Sequence, residues 1–101
     1  ETEYVPPRNE IEEIIVNKWQ EVLGYDRIGI HDDFFELGGH SLIAAAVASD
    51  LSKLFNVQIS LRELFETTTV AKIAELIKTY QWISESGKES AATEERDEGT
   101  I

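Results

Sequence analysis

The sequence predicts an all-α fold: a four-helix bundle of three long helices and one short one, with a long loop between helices 1 and 2. Three observations predict it. Apolar residues recur at helical spacing in successive stretches. Side chains able to cap a helix stand where those stretches begin. No stretch alternates long enough for a strand, the nearest being Val57-Gln58-Ile59. The chain has 101 residues, which suits one small domain.

The first helix is expected over residues 10–23. Asn9 can cap it, and Glu12 stands where a capping-box carboxylate reaches back. Ile11, Ile14, Ile15, Trp19, Val22 and Leu23 form one apolar face, and Gly24 is the stop. Before it, Pro6-Pro7 favours an extended path, so residues 1–8 read as an N-terminal linker. A start at Glu1 rather than methionine suits a piece of a longer chain.

Residues 24–40 lose the helical period and hold four of the six glycines. Ile28, Ile30, Phe34, Phe35 and Leu37 suggest a loop packed down on the core, and loops this long are usually functional or self-packed. A second helix is expected over residues 41–55. Leu42, Ala45, Ala46, Ser49, Leu51, Leu54 and Phe55 give it a mixed face, and Asn56 ends it. Ser60 and Glu63 form a capping-box pattern opening a short helix through Leu61, Leu64 and Phe65. Thr67-Thr68-Thr69 breaks the chain and offers a cap. The last helix starts at Val70, with Ile73, Ile77 and Tyr80 on the same face and Leu76 beside it. The domain is expected to span residues 9–83. Residues 84–101 have few apolar side chains and read as a disordered acidic tail, a linker in preference to a recognition segment.

The formal net charge is −11. It argues against nucleic acid and anionic membranes, and it favours partners with a basic face. With no cysteine, any thiol chemistry must come from a cofactor. No apolar run has the length of a membrane span and no signal pattern opens the chain, so a cytoplasmic protein is expected.

The informative segment is DDFFELGGHSL, residues 32–42. It sets a serine at a helix start after two glycines. Unpaired amides and the positive end of the helix dipole favour a phosphate there. The glycines clear the approach and allow backbone angles closed to other residues. The plainer reading is that Ser41 caps helix 2, and the residues by themselves leave both open.

The segment resembles the attachment motif of phosphopantetheine carrier proteins through Asp32, Phe34, Phe35, Leu37, Gly38, Gly39, His40, Ser41 and Leu42. The chain from Tyr4 to Tyr80 resembles the peptidyl carrier (thiolation) domains of non-ribosomal peptide synthetases. Tyr4 to Arg8 is similar to the linker after an adenylation domain. The resemblance implies a right-handed bundle of the acyl/peptidyl carrier type, monomeric when excised. It implies that 4'-phosphopantetheine from coenzyme A is esterified to Ser41 by a phosphopantetheinyl transferase. The arm then holds aminoacyl or peptidyl groups as thioesters for adenylation, condensation and thioesterase domains. The resemblance also implies a non-catalytic part of a multi-domain synthetase, working by effective concentration. In the family it resembles, a histidine at the position of His40 rather than an aspartate leans toward a peptidyl carrier.

Catalysis by His40 is disfavoured, since a neighbour in sequence rarely reaches the serine and residue 43 is isoleucine where the nucleophile elbow has glycine. Asp32, Asp33 and Glu36 lack calcium-loop spacing and read as a solvated, partner-facing loop. His31 and His40 are too few for zinc, and no metal is expected. Leu42, Ile43 and Ala46, with Leu61 and Phe65, are the expected partner interface. Two rivals remain. One is an acyl or aryl carrier of a polyketide or siderophore pathway. The other is a carrier-like docking module that is never modified.

Overall fold

A computed structural model describes residues 3–94, with side chains through Ser84. Four helices follow in order: α1 Glu10–Leu23, α2 Ser41–Phe55, α3 Leu61–Glu66 and α4 Val70–Glu94. α1 packs against α4 and α2, and α2 against α3. The core gathers Ile15, Val16 and Trp19 of α1, Val47 and Leu51 of α2, Leu64 of α3, and Ile73 and Ile77 of α4.

α1 and α2 have the expected bounds. The Asn9 side chain accepts from the Glu12 amide at 2.9 Å, and Gly24 ends α1 at φ 81. Glu12 departs from the expected capping box. Its buried carboxylate accepts from the Arg8 amide at 2.7 Å and from the Arg8 guanidinium at 2.6 Å, not from Asn9. Arg8 precedes the cap and aims both donors at the same acid, which outweighs a single backbone bond. The Arg8 side-chain bond also holds the Glu12 carboxyl below its ordinary range, against the opposing effect of burial.

Of the mixed face expected for α2, Leu51 is buried and Phe55 half-buried against the core. Ala44, Val47, Ala48 and Leu51 are buried, whereas Leu42, Ala45, Ala46, Ser49 and Leu54 are exposed. A helix rich in alanine carries little contrast between faces, so its sequence does not reveal its phase. The Ser60–Glu63 capping box forms in full, at 2.9 and 3.1 Å. Thr69 accepts from the Lys72 amide at the start of α4.

α4 overruns the expected domain end. It continues past Ile83 to Glu94, through part of the segment assigned to a disordered tail. A packed helix propagates without a new nucleus, and Lys88, Ala91 and Ala92 are good helix formers. The remainder of that tail, residues 95–101, lies outside the described residues.

The N-terminal segment is held against the loop before α2. Val5 accepts from the Ile30 amide at 2.9 Å, and the Arg27 guanidinium lies 4.3 Å above the Tyr4 ring. Gly29 makes this approach possible, because a Cβ there would sit 3.1 Å from the Val5 nitrogen. Among the described residues no helix is long and apolar enough to cross a membrane.

Candidate functional site

The loop that delivers residue 41 is anchored from within. Ile28, Ile30 and Phe34 are fully buried. Asp32 accepts from the Gly29 amide at 2.8 Å. Asp33 uses both carboxylate oxygens: one accepts from the amides of Phe35 and Glu36, the other from the Thr68 hydroxyl at 2.8 Å. The Phe34 amide then donates to the Thr68 carbonyl at 2.7 Å. Burial pushes the Asp33 carboxyl up, but the Thr68 hydroxyl and the two amides outweigh it and hold it below its usual range. Asp32, Asp33 and Glu36 were expected to face solvent and partners, and Glu36 is exposed. Asp32 and Asp33 instead satisfy the loop's own amides, which a short carboxylate does well.

A ladder of rings carries this anchoring outward. Trp19 and Phe34 lie 5.0 Å apart, Phe34 and Phe35 5.3 Å, and Phe35 and Phe65 5.4 Å. The core of α1 is thereby joined to the exposed side of α3. The two glycines before α2 serve different ends. Gly38 has φ 106, a backbone state that other residues resist. Gly39 lies so close to Phe34 that a Cβ would overlap the ring. The expected clearing of an approach for partners is thus joined by an internal reason, the packing of Phe34.

Ser41 is the first residue of α2 and is exposed. It is not the cap. His40 holds that place, extended at φ −146, exposed, and without a side-chain cap bond. The first turn contains no acid. The amides ahead of the first intrahelical bond, which runs from Ala44 to His40, have no partner within the helix. An exposed hydroxyl, free amides and no repelling carboxylate fit a phosphodiester attached at the serine oxygen.

Of the residues expected at a partner interface, Leu42 is 77% exposed, and Ala46, Leu61 and Phe65 are exposed too. Ile43 is different: it is half-buried and packs against the core. Leu37 and Phe35 are also half-buried on the core. Reading the residues alone misses Thr68 and the Arg8–Glu12 pair. Asp33 has a local signal, since its side chain stands two residues before the Phe35 amide it caps. Nothing in the sequence marks Thr68, 35 residues away.

The family model for the phosphopantetheine attachment site matches residues 13–77. The chain belongs to this family. This phosphopantetheine-attachment domain is similar to part of a linear gramicidin synthase of Brevibacillus parabrevis, 47% identical over 87 residues and 86% of this chain. The chain spans only 2% of that relative's length. Among solved structures it is similar to a non-covalent extended docking domain complex of the Pax NRPS, PaxA T1-CDD/PaxB NDD. That match has a TM-score of 0.78 and 37% identity, covering 94% of each chain. It is also similar to the structure of the phosphopantetheine transferase Sfp in complex with coenzyme A and a peptidyl carrier protein. There the TM-score is 0.73 and the identity 39%, with 75% of this chain and 99% of that chain covered. The fold is therefore that of peptidyl carrier proteins, four helices without a named strand among the described residues.

Proposed function

We propose that Ser41 carries the 4'-phosphopantetheine arm and that the chain is a thiolation domain of a non-ribosomal peptide synthetase. The observation that carries this reading is the exposed serine at an uncapped, acid-free helix start. Attachment forms one P–O bond between the Ser41 oxygen and the phosphopantetheinyl phosphorus. It breaks the pyrophosphate link of coenzyme A and releases adenosine 3',5'-bisphosphate and the serine proton. The bound arm supplies a terminal thiol that holds aminoacyl or peptidyl groups as thioesters. The domain's own residues place the attachment point and supply no acid or base.

The transferase reading is supported by the likeness to a peptidyl carrier protein in complex with Sfp and coenzyme A. Assignment to peptide assembly, with adenylation, condensation and thioesterase domains as partners, is supported by the gramicidin synthase relative. It is also supported by the exposed apolar set Leu42, Leu61 and Phe65, with Ala46 beside it, suited to successive partners. Such work belongs in the cytoplasm, where coenzyme A is at hand.

Intact mass tests it. Incubation with coenzyme A and a promiscuous transferase adds one phosphopantetheinyl group to the chain and none to Ser41→Ala. The loaded chain then takes up a labelled amino acid from an adenylation domain. Equal mass gain by Ser41→Ala, or none by either chain, overturns the reading. Loading of the arm without uptake from any adenylation domain would favour the acyl or aryl carrier.

A further inference from the structure

The exposed residues proposed to meet partners stand on different elements, Ser41 and Leu42 on α2, Leu61 and Phe65 on α3. A partner that touches both sets needs them at one spacing, and α3 is only six residues long. Between α3 and α4 lies the break Thr67-Thr68-Thr69, and two of these threonines serve their own helices. The Thr67 hydroxyl donates to the Glu63 carbonyl at 2.8 Å, at the end of α3. The Thr69 hydroxyl accepts from the Lys72 amide, at the start of α4. Thr68 instead sends its hydroxyl across 35 positions, to the Asp33 carboxylate at 2.8 Å.

That bond also orients the carboxylate. The other oxygen of Asp33 accepts from the amides of Phe35 and Glu36, at 2.9 and 3.2 Å, and so shapes the turn that follows. The turn carries Phe35 onto Phe65, with ring centroids 5.4 Å apart. The Phe34 amide bonds the Thr68 carbonyl, and Asp33 pairs with Thr69 in an isolated bridge. Neither of these backbone contacts needs the hydroxyl. Asp33 is half-buried, so water can take the place of the hydroxyl at its second oxygen. Losing the hydroxyl therefore leaves the fold standing and frees the turn.

We propose that Thr68 is a positioning residue for phosphopantetheinyl transfer, acting through Asp33 and Phe35 to hold Phe65 at a fixed place relative to Ser41. This role rests on the proposed attachment at Ser41. A surface that is already set needs no rearrangement when the transferase binds, whereas a freed one has to be ordered at that moment. Such a loss falls on KM for the chain and leaves kcat intact.

The test is steady-state transfer from coenzyme A by a promiscuous transferase, with the chain as the varied substrate. Thr68→Val keeps the shape of the side chain and removes the hydroxyl. It raises KM about tenfold and leaves kcat within about twofold of the parent, and Thr68→Ser, which keeps the hydroxyl, restores the parent KM. In a Phe65→Ala background, Thr68→Val adds less than about twofold to KM, because the route through Phe65 is gone. The inference is overturned if Thr68→Val leaves KM unchanged, if Thr68→Ser fails to restore it, or if the full rise persists in the Phe65→Ala background. A fall in kcat alone overturns it as well, by placing the effect at the reacting serine. If Thr68→Val does not fold, Thr68→Ala takes its place, and collapse of both overturns the inference by making the hydroxyl a support of the fold. A parent that gains no phosphopantetheinyl group removes the reading of Ser41 too. A parent that gains it beside an unaffected Thr68→Val removes this inference alone.

Discussion

Helices α1 and α2 both start from an extended cap residue, Asn9 at φ −153 and His40 at φ −146, and differ in the cap bond and charge of the first turn. α1 closes its start. The Asn9 side chain takes one free amide, and Glu10, Glu12 and Glu13 set negative charge against the dipole. α2 leaves its start open, with no side-chain cap and no acid. A side-chain cap and first-turn acids are present in one and absent from the other. The difference teaches that the open start is held by neighbours instead. Phe34 beneath Gly39, the Asp33–Thr68 bond and the ring ladder fix the loop from the core side, so the solvent side stays exposed.

The largest expected effect comes from breaking that substitute support. In Gly39→Ala the new Cβ overlaps the buried Phe34 ring, which has no room to retreat from Trp19. Overpacking of this kind costs about 1–3 kcal/mol. Urea unfolding measures it, and the rate of phosphopantetheinyl transfer falls as the loop shifts. Gly24→Ala is the matching change after α1, where a Cβ meets nothing within 4 Å. It costs only the left-handed backbone penalty, about 1–2 kcal/mol, and leaves the transfer rate unchanged. Equal transfer rates in the two variants would show that the open start does not depend on Phe34.

The comparison also separates what the sequence can show from what it cannot. α1 is legible because its large apolar side chains contrast sharply with the acids and Lys18 around them, and because Asn9 and Gly24 punctuate its ends. The bounds of α2 are legible for the same reason at its ends, from the glycines and Asn56. Its buried face is not, since Ala44 and Ala48 point inward while Ala45 and Ala46, the same residue type, point outward. The serine is legible through its motif. What holds the motif is not: Asp33 and Thr68 meet across 35 positions, and no local pattern announces a contact of that separation. The overrun of α4 is hidden because polar composition suggests disorder, whereas propagation from a packed helix tolerates it.

The closed start gives the next effect. Glu12 is buried, and its carboxyl is held below the ordinary range first by the Arg8 side-chain bond. A depressed folded value stabilises the fold fully above the unfolded value, about 4.3, and that contribution fades as pH falls through the folded value. Glu12→Gln removes charge-assisted bonds and costs about 1–3 kcal/mol near neutrality. The parent loses its advantage over the variant between about pH 4 and the lower folded value. Unfolding midpoints of both chains across that range check the sign. Asp33, also depressed, contributes in the same direction in both chains and drops out of the difference.

The smallest pair sharpens the contrast between the two caps. Asn9→Ala removes the side-chain acceptor of the Glu12 amide and costs about 1 kcal/mol. His40→Ala removes an exposed side chain that makes no cap bond, and its cost lies within about 0.5 kcal/mol. Thermal and urea midpoints measure both. A cost for His40→Ala as large as that for Asn9→Ala would mean that the imidazole supports the helix start. The α2 start would then be closed by its own cap residue, and its openness to a phosphate could no longer rest on a missing cap.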